Sequence, residues 1–255
     1  MDEKHWDGLA ATFDRDVFNP VTNDLHGTFL KTLRRYARRG GTAADFGCGN
    51  GRQLPLIARR FRMIAAMDHS GRCVAEAARR CRRFRHVTFR QHDLTKPVRF
   101  IAPVDTGICI NVAIMPDYDM RMRLLRNVTN RIRRGGRLFL VVPSMESTLY
   151  SAHRLILWNL TDHDSYREAS AAAQPETGFT NASVRDGVVT VGEVRTKHYL
   201  REELELLLPR LGHRILEIAK MEYPWKSEFM HPPRSMRAPY PWDWLVVSTP
   251  GRKRR

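Results

Sequence analysis

The sequence predicts an α/β protein: a seven-stranded, mostly parallel sheet with helices on both faces, an antiparallel last strand pair and a cap inserted after strand five. Three observations carry that expectation. Short apolar runs alternate with amphipathic helical stretches from about residue 24 to 145, glycine pairs mark two helix-to-strand joints, and the rhythm breaks after Pro143 before resuming near residue 200. Strand–helix–strand units at this spacing imply right-handed crossovers and a sheet covered on both sides. With 255 residues and 42% hydrophobic content the chain suffices for one large domain. Its core is expected at about 24–145 and 200–250, with an N-terminal cap at about 1–23 and a substrate-cap insertion at about 146–199.

Residues 24–39 read as a helix with Leu25, Phe29, Leu33 and Tyr36 on one face, stopped by Gly40-Gly41. TAADF (42–46) is a short buried strand, and a glycine turn leads into the helical RQLPLIARR (52–60). RMIAAMD (62–68), HVTFRQ (86–91) and DTGICIN (105–111) follow as strands, with the helix GRCVAEAARRCRRF (71–84) between the first two. Residues 120–134 form an amphipathic helix with Met122, Leu125, Val128 and Ile132 inward, ended by Gly135-Gly136, and RLFLVVP (137–143) is the fifth strand. One or two helices are expected in 146–182, ending in the polar stretch QPETGFTNAS, and period-two alternation around Asp186-Gly187 predicts a hairpin. REELELLLPRLG (201–212) resumes the helical pattern. The closing strands HRILEIAKM (213–221) and WDWLVVST (242–249) are joined by a Pro-rich loop too short for a crossover helix, so they pair antiparallel.

No apolar run approaches the ~20 residues of a membrane span, and the polar, acidic N-terminus does not read as a signal peptide. The four cysteines form no CxxC pair and have no histidine at zinc spacing. They are read as reduced thiols of a cytoplasmic protein, without metal or disulfide. The net charge of +16 comes from 36 arginines and 7 lysines spread along the whole chain. It is read as solvated helix faces, with a polyanion-binding surface as the alternative.

Chemistry enters at AADFGCGNG (43–51). A strand-to-helix turn of this kind needs glycine for positive φ and for close approach of the backbone to a ligand. Dinucleotide sites use GxGxxG, whose third glycine lets the helix pack on the strand. Here the spacing is Gly47-x-Gly49-x-Gly51, and Arg52 occupies the place of the dinucleotide pattern's last glycine. Asp45, two residues before the turn, repels a pyrophosphate and suits a ligand carrying an ammonium group.

At these residues the chain resembles the class I, Rossmann-like S-adenosylmethionine-dependent methyltransferases, whose first motif is an acid followed by GxGxG. The resemblance implies that Asp45, Gly47, Cys48, Gly49 and Gly51 wrap the methionine end of S-adenosyl-L-methionine. It implies that Asp68, closing the second strand, meets the ribose and that its neighbour His69 also lines the cofactor. Asp93-Leu94 would meet the adenine, and Asn111 at the end of strand four would face cofactor and acceptor. The matches run in register over about residues 40–145.

The acceptor is less legible, because displacement at an already activated methyl group requires positioning more than a fixed catalytic group. NVAI after strand four is not the NPPY or DPPY of nucleobase amino-methylation, and no Pro-Cys dipeptide offers a nucleophilic thiol. The insertion suggests a small-molecule acceptor methylated at oxygen or nitrogen. His153, His163, His198 and Glu146 are the candidates for a general base, with Tyr150, Trp158 and Tyr199 as an aromatic wall. The alternatives are an RNA methyltransferase, on the net charge, or a non-catalytic cofactor-binding protein. No membrane partner is expected, and the oligomeric state is not read.

Overall fold

Why the apolar runs form one sheet is visible in their alternation: Ala43, Ile64, Ile108 and Phe139 face one core, while Ala44, Met67, Cys109 and Leu138 face another on the opposite side. The computed structural model describes residues 3–177, 181–191 and 194–251. Along the chain lie α1 (Glu3–Leu9), α2 (Phe13–Asp16), α3 (Pro20–Asn23), α4 (Thr28–Tyr36), β1 (Thr42–Phe46), α5 (Leu54–Ile57), β2 (Met63–Asp68), α6 (Gly71–Arg80), β3 (Val87–Gln91), β4 (Val104–Ile110), α7 (Tyr118–Thr129) and β5 (Ile132–Pro143). Then come α8 (Met145–Asn159), α9 (Tyr166–Thr177), α10 (Asn181–Asp186), β6 (Val188–Val191), β7 (Val194–Lys197), α11 (Arg201–Arg210), β8 (His213–Glu222) and β9 (Trp242–Pro250).

The seven-stranded sheet has the order β3-β2-β1-β4-β5-β9-β8, with β9 antiparallel to both its neighbours. β1 pairs in parallel with β2 on one side and β4 on the other. The chain direction of winding reverses there, and α/β sheets open a ligand crevice at the C-terminal strand ends of such a point. β6 and β7 form a separate hairpin. Among the described residues no helix is long and apolar enough to cross a membrane.

Four local expectations change. α4 begins at Thr28, because Gly27 is left-handed (φ 62°) and the Asp24 carboxylate accepts from the Phe29 N–H at 2.8 Å, so Leu25 lies outside the helix and is exposed. The helix expected over 120–134 stops at Thr129. Ile132 is buried and already pairs with Val104, and an irregular stretch through Gly135 (φ 76°) carries β5 to the register Thr106–Arg137. Asp186-Gly187 is not the hairpin turn: residues 181–186 are helical, Gly187 (φ 63°) ends that helix, and the β6–β7 connection falls at 192–193, outside the described residues. The polar stretch 174–183 is helical up to Thr177 and again from Asn181, and its centre, 178–180, lies outside the described residues.

The fold also gathers charge that the sequence spreads. Arg38 and Arg39 precede β1, Arg62 precedes β2, Arg82, Arg83 and Arg85 precede β3, Arg99 precedes β4, and Arg134 lies at the start of β5; all are exposed. Because β1 to β5 are parallel, these side chains converge on the strand-start edge of the sheet. Helix C-termini tolerate cations there. The crevice opens at the other edge.

Candidate functional site

β1 delivers the chain into a turn built on three left-handed glycines: Gly47 (φ 81°), Gly49 (φ 53°) and Gly51 (φ 75°). Their roles differ. A Cβ on Gly47 would come within 2.2 Å of Val112 Cγ2, and one on Gly49 within 2.7 Å of the Phe13 ring; Gly47 and Gly49 both line the crevice. A Cβ on Gly51 would meet the Ala77 Cβ at 2.8 Å and its Cα at 3.0 Å. Gly51 therefore lets α6 pack on the turn, and it does not line the crevice. The N–H groups of Gly47 and Cys48 donate to the Met67 carbonyl at 2.8 and 2.9 Å, which ties the turn to β2.

The crevice offers about 140 Å³ to the centres of water-sized molecules and is open at its mouth. Of the residues implied by the resemblance, Gly47, Cys48, Gly49, Asp68, His69, Asp93, Leu94 and Asn111 line it. Asp68 accepts from the N–H of Gly49 at 2.8 Å and of Ser70 at 3.0 Å. Burial raises its pKa against those two bonds. Asp93 is opposed by burial too, but the Thr95 hydroxyl and N–H, at 2.7 and 2.9 Å, hold it below the usual carboxylate range. Burial pushes the Cys48 thiol far up, so it is not a nucleophile here.

Asp45 does not reach the crevice. It is fully buried beneath the turn, where burial, and secondarily the charge of Asp68, push its pKa up to about 7. Its Oδ2 accepts from Gln53 Nε2 at 3.3 Å, and its Oδ1 has no partner. Gln53 does line the crevice, so it connects this buried acid to whatever binds above.

The opposite wall comes from the N-terminal segment: Trp6, Phe13, Val17, Phe18, Pro20 and Val21. Trp6 and Phe13 lie in the N-terminal cap expected at about 1–23. The ties that hold it were not foreseen. Arg52 donates to the carbonyls of Phe18 at 2.6 Å and Phe13 at 3.4 Å, and its guanidinium lies 5.1 Å from the Phe13 ring centre. Asn50 donates to Asp14 at 2.9 Å, and the Ser70 hydroxyl to Asp7 at 2.5 Å. The residue standing where a dinucleotide turn has glycine is thus a clasp on the crevice wall. Arg52→Ala is expected to weaken binding in the crevice by about tenfold, through the loss of a charge-assisted bond, and to speed proteolysis between residues 10 and 20, read by calorimetry and limited digestion.

No described residue of 146–199 lines the crevice, and none of the four base candidates does. His153 and His163 are exposed. His198 is buried between Thr148 at 2.7 Å and Thr196 at 3.0 Å, and burial, with the Lys197 charge, lowers its pKa to about 4. Glu146 braces the base of the insertion, accepting from the Ser144 hydroxyl, the Arg201 N–H and Trp244 Nε1. The Tyr199 hydroxyl donates to the Ala113 carbonyl in the core. Tyr150 and Trp158 instead pack with Trp225 and Phe229 of the loop before β9.

Residues 43–136, from β1 into β5, match the family model of a methyltransferase domain. The central part of the chain is thus a methyltransferase domain, in the fold of the class I S-adenosylmethionine-dependent methyltransferases. The methyltransferase has the fold of a SAM-dependent methyltransferase from Methanosarcina mazei (15% identity, 86% of this chain and 97% of that one, TM-score 0.60). It shares that fold with the N-methyltransferase NodS of Bradyrhizobium japonicum bound to S-adenosyl-L-homocysteine (12%, 98% of each chain, 0.60). A third similar structure is the putative methyltransferase of Haloferax volcanii in complex with the activator Trm112 (15%, 98% and 99%, 0.64). No curated protein matches the chain significantly.

The crevice fits the cofactor of this family on its own chemistry. Two glycines keep its floor free of side chains, the Asp68 carboxylate faces it, and the orphaned Asp45 Oδ1 lies beneath it. When bound, S-adenosylmethionine supplies a methyl group activated by the positive charge on sulfur.

Proposed function

We propose that the methyltransferase acts on a small-molecule acceptor, at nitrogen or oxygen, with Asp45, Gln53 and the turn at the cofactor's amino-acid end, Asp68 and His69 at its ribose and Asp93-Leu94 at its base. The observation that carries the small-molecule reading is the crevice wall: Phe18, Pro20, Ile110, Ile114 and Met115 line the same crevice as Asn111 with apolar side chains. The +16 charge favours a second reading, an RNA acceptor. The exposed arginines at the strand-start edge weigh against it, because a strand phosphate-bound there lies across the sheet from the crevice. The test is transfer of labelled methyl to a metabolite extract and to total RNA at several salt concentrations. Label in small molecules supports the first reading, and RNA labelling that falls steeply with salt overturns it.

Asp45 makes cofactor binding pH-dependent. A cationic amino group favours the ionised carboxylate, whereas in the free protein this acid sits near pKa 7. Binding therefore releases a proton below neutrality, and affinity falls as pH drops through about 7, by up to about tenfold per unit. Calorimetry between pH 5.5 and 8 reads this, and Asp45→Asn is expected to flatten the profile.

A further inference from the structure

Behind Asn111 and Phe18 lies a group of buried polar side chains that the fold leaves partly unmatched. Asn111 Oδ1 and Trp242 Nε1 are buried without a hydrogen-bond partner, while the Tyr223 hydroxyl lies against Asp243 and Ser151 Oγ against Glu228. Buried polar atoms are almost always paired, so two orphans beside two buried acids point to a missing partner. These residues come from four separate elements: the end of β4, α8, the exit of β8 and the start of β9. Asn111 joins them to the crevice, since it lines the crevice while its amide donates to Asp243 Oδ2 at 3.2 Å. Its backbone is left-handed (φ 52°), a conformation that costs a non-glycine residue energy and collects at functional sites. Phe18 joins them too, its ring edge-on to Tyr223 with centroids 4.8 Å apart.

The charge of this group is one-sided. Asp243 is buried, Glu228 faces it, and neither makes a salt bridge among the described residues. The nearby cations are turned onto rings instead: Lys220 lies 3.6 Å from the Trp242 centroid and Arg154 5.4 Å from that of Trp225. Two carboxylates without a cation, close in sequence to the mutually packed rings of Trp225 and Trp242 with Tyr150, suit a positively charged ligand. Burial raises the Asp243 pKa to about 6. Glu228 is also raised, by crowding and by Asp243, but it keeps exposed surface and so stays in contact with solvent.

We propose that this cluster is the acceptor subsite of the methyltransferase and that the acceptor is an amine, held by Asp243 and aimed at the crevice by Asn111 and Tyr223. The proposal rests on the small-molecule reading above and narrows it. The bound ammonium gives one proton to the Asp243 carboxylate and frees its lone pair. That pair forms the new nitrogen–carbon bond as the methyl's bond to sulfur breaks, and sulfur keeps the electron pair as a neutral thioether. The methylated nitrogen carries the positive charge again, and Asp243 returns its proton to solvent past Glu228.

The test incubates the full chain with labelled S-adenosylmethionine and a metabolite extract, then separates the products on a cation exchanger at neutral pH. Label in the retained, amine-bearing fraction is expected. With an amine from that fraction, Asp243→Asn is expected to lower turnover by roughly a hundredfold or more, while S-adenosylhomocysteine binds the variant as tightly as wild type. Tyr223→Phe is expected to raise the acceptor KM with the same cofactor affinity, and it serves as second probe if Asp243→Asn does not fold. Label only in the unretained fraction overturns the amine acceptor and leaves the small-molecule reading standing. Label only in RNA, or in nothing, overturns both, and full amine turnover by Asp243→Asn overturns the role of Asp243.

Discussion

Asp68→Ala is expected to weaken binding of S-adenosylhomocysteine by roughly ten- to a hundredfold, the loss of ~1.5–3 kcal/mol from a charge-assisted bond to a hydroxyl. The carboxylate has two functions in the structure. It faces the crevice, and it accepts the N–H groups of Gly49 and Ser70, which sets the shape of the glycine turn and the start of α6. Removing it therefore also leaves two donors to find other partners, and the upper half of the range is expected. Asp68→Asn separates the two functions: the amide oxygen can keep one backbone bond, while the charge that strengthens a ribose contact is gone. Titration calorimetry on the two variants reads both losses, and unchanged affinity in both would remove Asp68 from the site.

Gly51→Ala is expected to lower stability rather than affinity. The new methyl needs a left-handed conformation and meets the Ala77 backbone at 3.0 Å, where neither side can yield without moving α6. Backbone strain and overpacking together come to roughly 2–5 kcal/mol. In a chain of this size that is a fall in melting temperature of about 5–15 °C. Below the transition, cofactor affinity is expected to stay near wild type, because Gly51 does not line the crevice. Gly47→Ala is expected to behave in the opposite sense, since its methyl would displace Val112 from the crevice wall.

These two residues also mark what the sequence discloses. The cofactor half was legible because its parts are local: a turn, an acid at each of two strand ends, and an asparagine at a third, each fixed by a few neighbouring residues. The three glycines look alike in sequence, however, and only the packing of α6 separates Gly51 from Gly47 and Gly49. Asp45 was expected at the ligand and lies outside the crevice, reaching it only through Gln53, because strand alternation cannot tell the depth of a strand end. Residue type alone nominated His153, His163, His198 and Glu146, and their surroundings are solvent, two threonines and a structural brace. Asn111 and Asp243 are 132 positions apart, and nothing local in either segment signals the other. The arginines show the same limit, since only the parallel sheet brings them to one edge.

The most direct test of the central claim is titration of the wild-type protein with S-adenosylhomocysteine and, separately, with NAD. Both ligands carry an adenosine, and only one carries an ammonium group in place of a pyrophosphate. Binding of S-adenosylhomocysteine at one site per chain, with no heat from NAD, is the predicted result. Binding of NAD in preference, or of neither, would contradict the assignment of the glycine turn, Asp45 and Asp68 to a sulfonium cofactor.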